Sequence, residues 1–222
     1  MFQERLLRVF PRGALLLDLG CGTGEDALFL ASSGRRVVAI DGAPAMLERA
    51  RAKAVLQGTP SEAARFEAGE LTRLDALGTG FDGAYSNFGA LNCADLRATG
   101  RALARALRPG APLLLSVMGP HPLPLLLRQL VTGRGERAPQ VAGIPVETHY
   151  PSPGRLRRAF GPEFDWSGGF ALGVLLPGPE QAAWPTRHPQ SFGLLAIAES
   201  LVRSWPLLRG LGDHNVMQGR RL

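Results

Sequence analysis

The sequence predicts an α/β fold: a mostly parallel sheet with helices on both faces. Two observations carry this. Short apolar runs alternate with helical patterns through the first half of the chain. The runs close on glycine, proline or an acid instead of continuing to helix length. At 222 residues the chain is long enough for one domain with a full core, and 1–222 are expected to form one. Hydrophobic residues at 45% and charged residues at 20% fit an ordinary globule.

The elements follow in order. Ala14 to Leu19 (ALLLDL) reads as a buried strand closed by glycines. Glu25 to Ser33 reads as a helix with an apolar face of Ala27, Leu28, Leu30 and Ala31, and Gly34 suits its C-terminal cap. Arg36 to Ile40 is a second strand ending in Asp41. Pro44 then opens a helix that runs to about Leu56, a position where proline is tolerated. Ala64 to Ala68 and Phe81 to Ser86 are the third and fourth strands, and Asp95 to Leu107 is amphipathic and stopped by Pro109-Gly110. Pro112 to Met118 is a fifth buried strand. Beyond it, 119–145 is rich in Pro and Gly, with a short apolar helix over Leu123 to Val131. Pro153 to Phe160 and Gln190 to Arg203 read as helices. Phe164 to Leu176 reads as a bent strand with a glycine bulge, and His214 to Arg221 as a closing strand.

Composition removes several classes of function. No apolar run reaches the ~18 residues needed to span a bilayer, and Met1 to Arg12 has no signal-length apolar stretch. A cytoplasmic protein is the expectation. Two cysteines, Cys21 and Cys93, are too few for a disulfide framework or a zinc or iron–sulfur site, so no metal is expected. The net charge is +6, and Lys53 is the lone lysine. The arginines are dispersed along the sequence, and clusters such as Arg155-Leu156-Arg157-Arg158 lack interleaved aromatics. That pattern disfavours a nucleic-acid partner.

The sharpest signal lies at the end of the first strand. Asp18 is followed by Gly20, Gly22 and Gly24 at intervals of two, and a helix begins at once. Glycines let the backbone take turns forbidden to larger residues and approach a ligand closely. The helix start adds free N–H donors and a positive dipole end. Asp41, 21 residues beyond Gly20, is placed to accept both hydroxyls of a ribose. The spacing is G-x-G-x-G, not the G-x-G-x-x-G of dinucleotide sites. An acid before the loop would repel a pyrophosphate and suits an ammonium better.

With these residues in view the chain resembles the class I S-adenosylmethionine-dependent methyltransferases. LLDLGCGTGEDALFLA is similar to the family's first motif and VVAIDGAPAML to its ribose-binding motif. FEAGEL, FDGAYSNFGALN and LARALRPGAPLLLSVM resemble its third, fourth and fifth motifs, so the likeness spans Leu15 to Met118 in order. It implies a Rossmann-like, seven-stranded, mostly parallel sheet with an antiparallel last strand. It also implies S-adenosylmethionine as methyl donor and S-adenosylhomocysteine as product. Position by position, Asp18 and the backbone of Gly20, Cys21, Gly22 and Gly24 would hold the methionine part, and Asp41 the ribose. Gly42 and Met46 would line the adenine pocket, and Glu70 would accept from the adenine amino group beside the Leu71 N–H. Glu70 departs from the family's usual Asp. Ser86, Asn87 and Phe88 would lie beside the methyl group.

The acceptor is less legible. Methyl transfer is an in-line displacement in which alignment alone can be worth about 7–11 kcal/mol. A base is needed when the acceptor holds its proton near neutral pH. The fourth strand runs into Ser-Asn-Phe-Gly, not the Asn/Asp-Pro-Pro-Tyr of amine methylation, and no C-x-x-x-C-x-x-C for radical methylation exists. A small-molecule acceptor with an oxygen nucleophile is favoured, with nitrogen or carbon behind it, and an RNA or protein substrate is the alternative. Residues 119–151 are expected to cover the substrate. The apolar run Pro122 to Leu127 suits either ordinary helix packing or a lid over an apolar or aromatic acceptor. His149, His121 and Tyr150 are the candidate bases, ahead of His188 and His214. The first motif begins near residue 15, leaving little chain for the N-terminal helical cap of many relatives.

Overall fold

The computed structural model describes residues 2–87, 89–133, 140–141, 144–145, 147–176, 184–205, 208 and 210–222. Its centre is a seven-stranded sheet in the order β3-β2-β1-β4-β5-β9-β8. The strands are β1 (Leu15–Leu19), β2 (Arg36–Asp41), β3 (Ala64–Ala68), β4 (Gly83–Ser86), β5 (Pro112–Met118), β8 (Phe164–Leu172) and β9 (His214–Arg221). β1 to β5 pair in parallel. β9 slots antiparallel between β5 and β8, so it alone in this sheet runs against the rest. Two further short strands, β6 (Gln140–Val141) and β7 (Ile144–Pro145), form a separate antiparallel pair.

Parallel strands buried on both faces need apolar runs, and β1, β2 and β5 supply them. One face packs against α1 (Phe2–Val9), α2 (Glu25–Ser32) and α3 (Pro44–Leu56), around Leu6, Phe10, Leu16, Leu30, Leu47 and Tyr85. The other packs against α4 (Leu96–Ala106) and α6 (Pro153–Phe160), around Leu103, Leu113, Leu115, Leu156, Phe160 and Met217. α4 starts at Asp95, whose carboxylate accepts from the Arg97 and Ala98 N–H groups at 2.9 and 3.0 Å. Gly100 on its inner face admits α6: a Cβ there would sit 2.8 Å from the Phe160 Cα. The helices α5 (Leu123–Thr132), α7 (Trp184–Arg187) and α8 (Pro189–Val202) and two short 3-10 turns, Leu74–Leu77 and Ala90–Cys93, complete the described elements. α8 is tied in by Glu199, fully buried, whose carboxylate accepts from the Val174 and Leu175 N–H groups at 3.1 and 2.7 Å.

Three details depart from the sequence reading. β4 begins at Gly83, two residues late, because Phe81 makes only an isolated bridge to Leu107. β8 stops at Leu172, four residues short of the predicted end, with its bulge between Trp166 and Gly168. The segment before the first motif, to which the sequence reading assigned no element, folds as α1. It buries Phe2 and Leu6, and each such side chain contributes about 1.5–3 kcal/mol. Buried Arg35 holds its end, donating to the carbonyls of Phe10 at 2.8 Å and Leu7 at 3.2 Å.

Candidate functional site

The β1–α2 turn is made by backbone, not side chains. The N–H groups of Gly20 and Cys21 both reach the Ile40 carbonyl, at 2.8 and 3.0 Å, binding the turn to the end of β2. Gly20, Gly22 and Gly24 all have positive φ, a region that glycine enters without steric cost. Gly20 is also pressed against Ala90, where a Cβ would collide. At Gly22, by contrast, a Cβ would meet nothing within 4 Å. That glycine faces open space above the sheet edge.

Asp41 completes the cradle. One carboxylate oxygen accepts from the Gly22 N–H at 2.7 Å and the other from the Ala43 N–H at 2.9 Å. Each oxygen keeps one lone-pair direction, which suits a diol. Behind the loop, Asp18 is 3% exposed. Burial, then the neighbouring Asp26, push its carboxyl well above the usual range; the Tyr85 hydroxyl opposes and Asp41 adds to the rise. Burial and the charges of Asp18 and Asp41 also hold the Cys21 thiol protonated, which leaves it no nucleophilic role. Asp26, in the first turn of α2, is gripped from two sides, by Gln3 at 3.0 Å and Asn87 at 2.7 Å.

β2 and β3 end side by side, with Asp41 opposite Ala68. This brings Gly42 and half-buried Met46 to the same edge as Glu70 and Leu71. Glu70 is exposed, and its carboxylate accepts from Thr72 Oγ1 at 3.2 Å. The buried Ser86 hydroxyl donates to the Leu19 carbonyl at 2.8 Å, locking β4 to the base of the loop. Phe88 lies outside the described residues.

The edge beyond β4 and β5 is organised by a residue the sequence reading passed over. Asn92 is fully buried. Its Nδ2 donates to the carbonyls of Met118 at 3.0 Å and His149 at 2.6 Å, and its Oδ1 accepts from the Met118 N–H at 2.9 Å. The Asn92 carbonyl accepts from the His149 N–H at 2.7 Å. Asn92 thus brings the segment carrying His149 and half-buried Tyr150 beside the end of β5, three residues before His121. His149 is exposed, with Glu147 at 3.7 Å. At the same edge Asp213 Oδ2 lies 2.9 Å from His214 Nδ1, a pairing that fixes the imidazole. The adjacent Asp-His letters were the available signal for it. Among the described residues no three His, Cys, Asp or Glu side chains are gathered to hold a metal ion, and no helix is long and apolar enough to cross a membrane.

A glycine-kinked turn, a diol-facing acid on the next strand and this sheet order define a nucleoside-binding α/β protein. Residues 16–110, the stretch that holds the glycine turn and Asp41, match the methyltransferase domain family. It is 33% identical over 117 residues to a malonyl-[acyl-carrier protein] O-methyltransferase of Serratia marcescens, covering 52% of this chain and 43% of that one. It is 34% identical over 116 residues to a demethylmenaquinone methyltransferase of Clavibacter sepedonicus, covering 52% and 46%. The chain thus spans less than half the length of either relative. The solved magnesium protoporphyrin IX methyltransferase of Synechocystis PCC 6803, with S-adenosylhomocysteine bound, shares the fold at a TM-score of 0.64 and 17% identity, over 100% of this chain and 80% of that one.

Proposed function

We propose that the protein transfers the methyl group of S-adenosylmethionine to an oxygen of a small-molecule acceptor. The observation that carries the reading is the Asp41 cradle. Its carboxylate is oriented by two backbone donors, Gly22 and Ala43, and keeps free lone pairs on both oxygens. The donor supplies a methyl group on an already activated sulfonium, so this chain's part is to bind, align and keep out water. Gly20, Cys21, Gly22 and Gly24 carry the methionine part, with Asp18 facing its ammonium. Gly42, Met46, Glu70 and Leu71 hold the adenine, and Ser86, Asn87 and Phe88 border the methyl group.

The acceptor enters above β4 and β5 under a cover made by residues 119–151, within a single domain spanning 1–222. α5 supports an apolar lid: it has no buried residue, and Leu126, Leu127, Leu130 and Val131 are exposed. The base that removes the acceptor proton comes from His149, His121 or Tyr150, set on two segments that Asn92 joins. The C–S bond breaks as the O–C bond forms, the proton passes to the base, and S-adenosylhomocysteine leaves. The O-methyltransferase among the relatives favours oxygen, and the demethylmenaquinone enzyme is in keeping with an apolar or aromatic acceptor.

Calorimetry with S-adenosylhomocysteine tests the donor site. The wild type binds it. Asp41→Ala loses two charge-assisted contacts worth about 1.5–3 kcal/mol each, a loss of at least about tenfold in affinity. Unchanged binding would sink the reading.

A further inference from the structure

Charge is unevenly divided along this chain. Residues 1–95 carry ten basic and twelve acidic side chains; residues 96–222 carry fifteen and seven. The excess gathers on the paired helices α4 and α6. Arg97, Arg101 and Arg105 repeat every four residues on α4, opposite its buried face of Thr99, Gly100, Ala102, Leu103 and Ala106. Arg155 and Arg158 project from the side of α6 that faces the start of α4, and Arg157 from another side, beside Gly168 and Met217. All six are exposed, and neither helix contains an acid. None of the six forms a salt bridge among the described residues. Like charges four apart weaken a helix, so nothing local selects this stripe.

We propose that the α4–α6 face binds the phosphodiester backbone of a double-stranded nucleic acid, as a surface separate from the donor cradle. Arg97 to Arg105 spans about 12 Å at 1.5 Å per residue, too long for one small anion and suited to a row of phosphates. Guanidinium groups match phosphate oxygens with paired donors. Arg97, Arg155 and Arg158 line an open groove of about 760 Å³ between the helices; Asp95 and Glu147 lie along it, and His149 stands at its side. Asp95 is occupied in capping α4.

The partner's class follows from what the face lacks. A protein interface needs an apolar core, and a membrane-docking helix needs an apolar wedge. Among the described residues the exposed large apolar side chains lie on α1, α3, α5 and α8, at Trp205 after α8 and at Leu222, and none is on α4 or α6. The one ring in these two helices, Phe160, is buried, so no platform exists for stacking single-stranded bases.

Fluorescence anisotropy with labelled RNA and DNA duplexes of about 20 base pairs tests this, scanning salt from about 50 to 200 mM. The wild type should bind at least one duplex, losing affinity steeply with salt. Arg101→Glu/Arg105→Glu should weaken binding by at least about tenfold and flatten the salt slope by about one unit per lost contact. Arg36→Glu/Arg49→Glu removes the same charge from β2 and α3 and should change binding less than about threefold. Binding of S-adenosylhomocysteine should be equal in all three, which separates failure here from failure of the donor-site reading. Equal weakening by both double variants would reduce the effect to net charge and overturn the proposal. So would tighter binding to polyglutamate or to phosphatidylserine vesicles than to either duplex, or no salt-dependent duplex binding.

Discussion

Asp18 shows how one residue links stability to ligand. Its native carboxyl holds a proton more tightly than an unfolded aspartate, whose value is about 3.9, because burial and Asp26 oppose its charge. The sign follows from linkage. Its contribution to stability is complete below the unfolded value and is lost as pH rises through the raised native value. Asp18→Asn removes that dependence. Thermal melts of the ligand-free protein should show the variant gaining on the wild type as pH rises above about 4. A difference constant with pH would refute this account. The same substitution should weaken S-adenosylhomocysteine binding, because a neutral amide cannot pair with the ammonium.

Among the elements, the join between the β4–α4 turn and the segment after β7 decides whether the acceptor edge exists. Asn92→Leu would leave the Met118 N–H and carbonyl and the His149 carbonyl without their partners. Unsatisfied buried groups cost about 1–3 kcal/mol each, so a loss of about 2–4 kcal/mol is expected with local relaxation. Hydrogen exchange of residues 147–151 should accelerate, while Asp41 and its loop keep their protection. Uniform loss of protection would make Asn92 an ordinary core residue. This clamp also marks where the sequence stops being legible. The first motif can be read because its glycines, strand and acid are neighbours in the chain and each answers a local backbone demand. The partners of Asn92 lie 26 and 57 residues away, and a buried Asn in a short turn has the same letters as a solvated one. α1 escaped notice for the same reason: Phe2 and Leu6 find their cover, and Arg35 its carbonyls, only after the chain has returned. The arginines read as dispersed because α4 and α6 are about fifty residues apart in sequence and pack together only in the folded chain, where Gly100 admits Phe160.

On the scale of the whole molecule, the donor cradle sits where distant parts of the chain meet. Gly20 leans on Ala90, Asp26 is held by Gln3 and Asn87, and Arg5 on α1 reaches Gln218 in the last strand. A ligand that fixes the loop therefore reports on the global fold and not on the loop alone. Binding to the native state stabilises it by about 2.7 kcal/mol at a hundredfold excess over Kd. For a chain of this size each kcal/mol moves the melting temperature by about 2–4 °C. S-adenosylhomocysteine at that excess should raise the melting temperature of the wild type by about 5–10 °C in one cooperative transition. Asp41→Ala, at least about tenfold weaker, should shift by no more than about half as much at the same concentration. A second transition that ignores the ligand, carried by α8, β8 and β9, would show instead that the later half unfolds on its own and that the cradle is coupled only to β1 through β5.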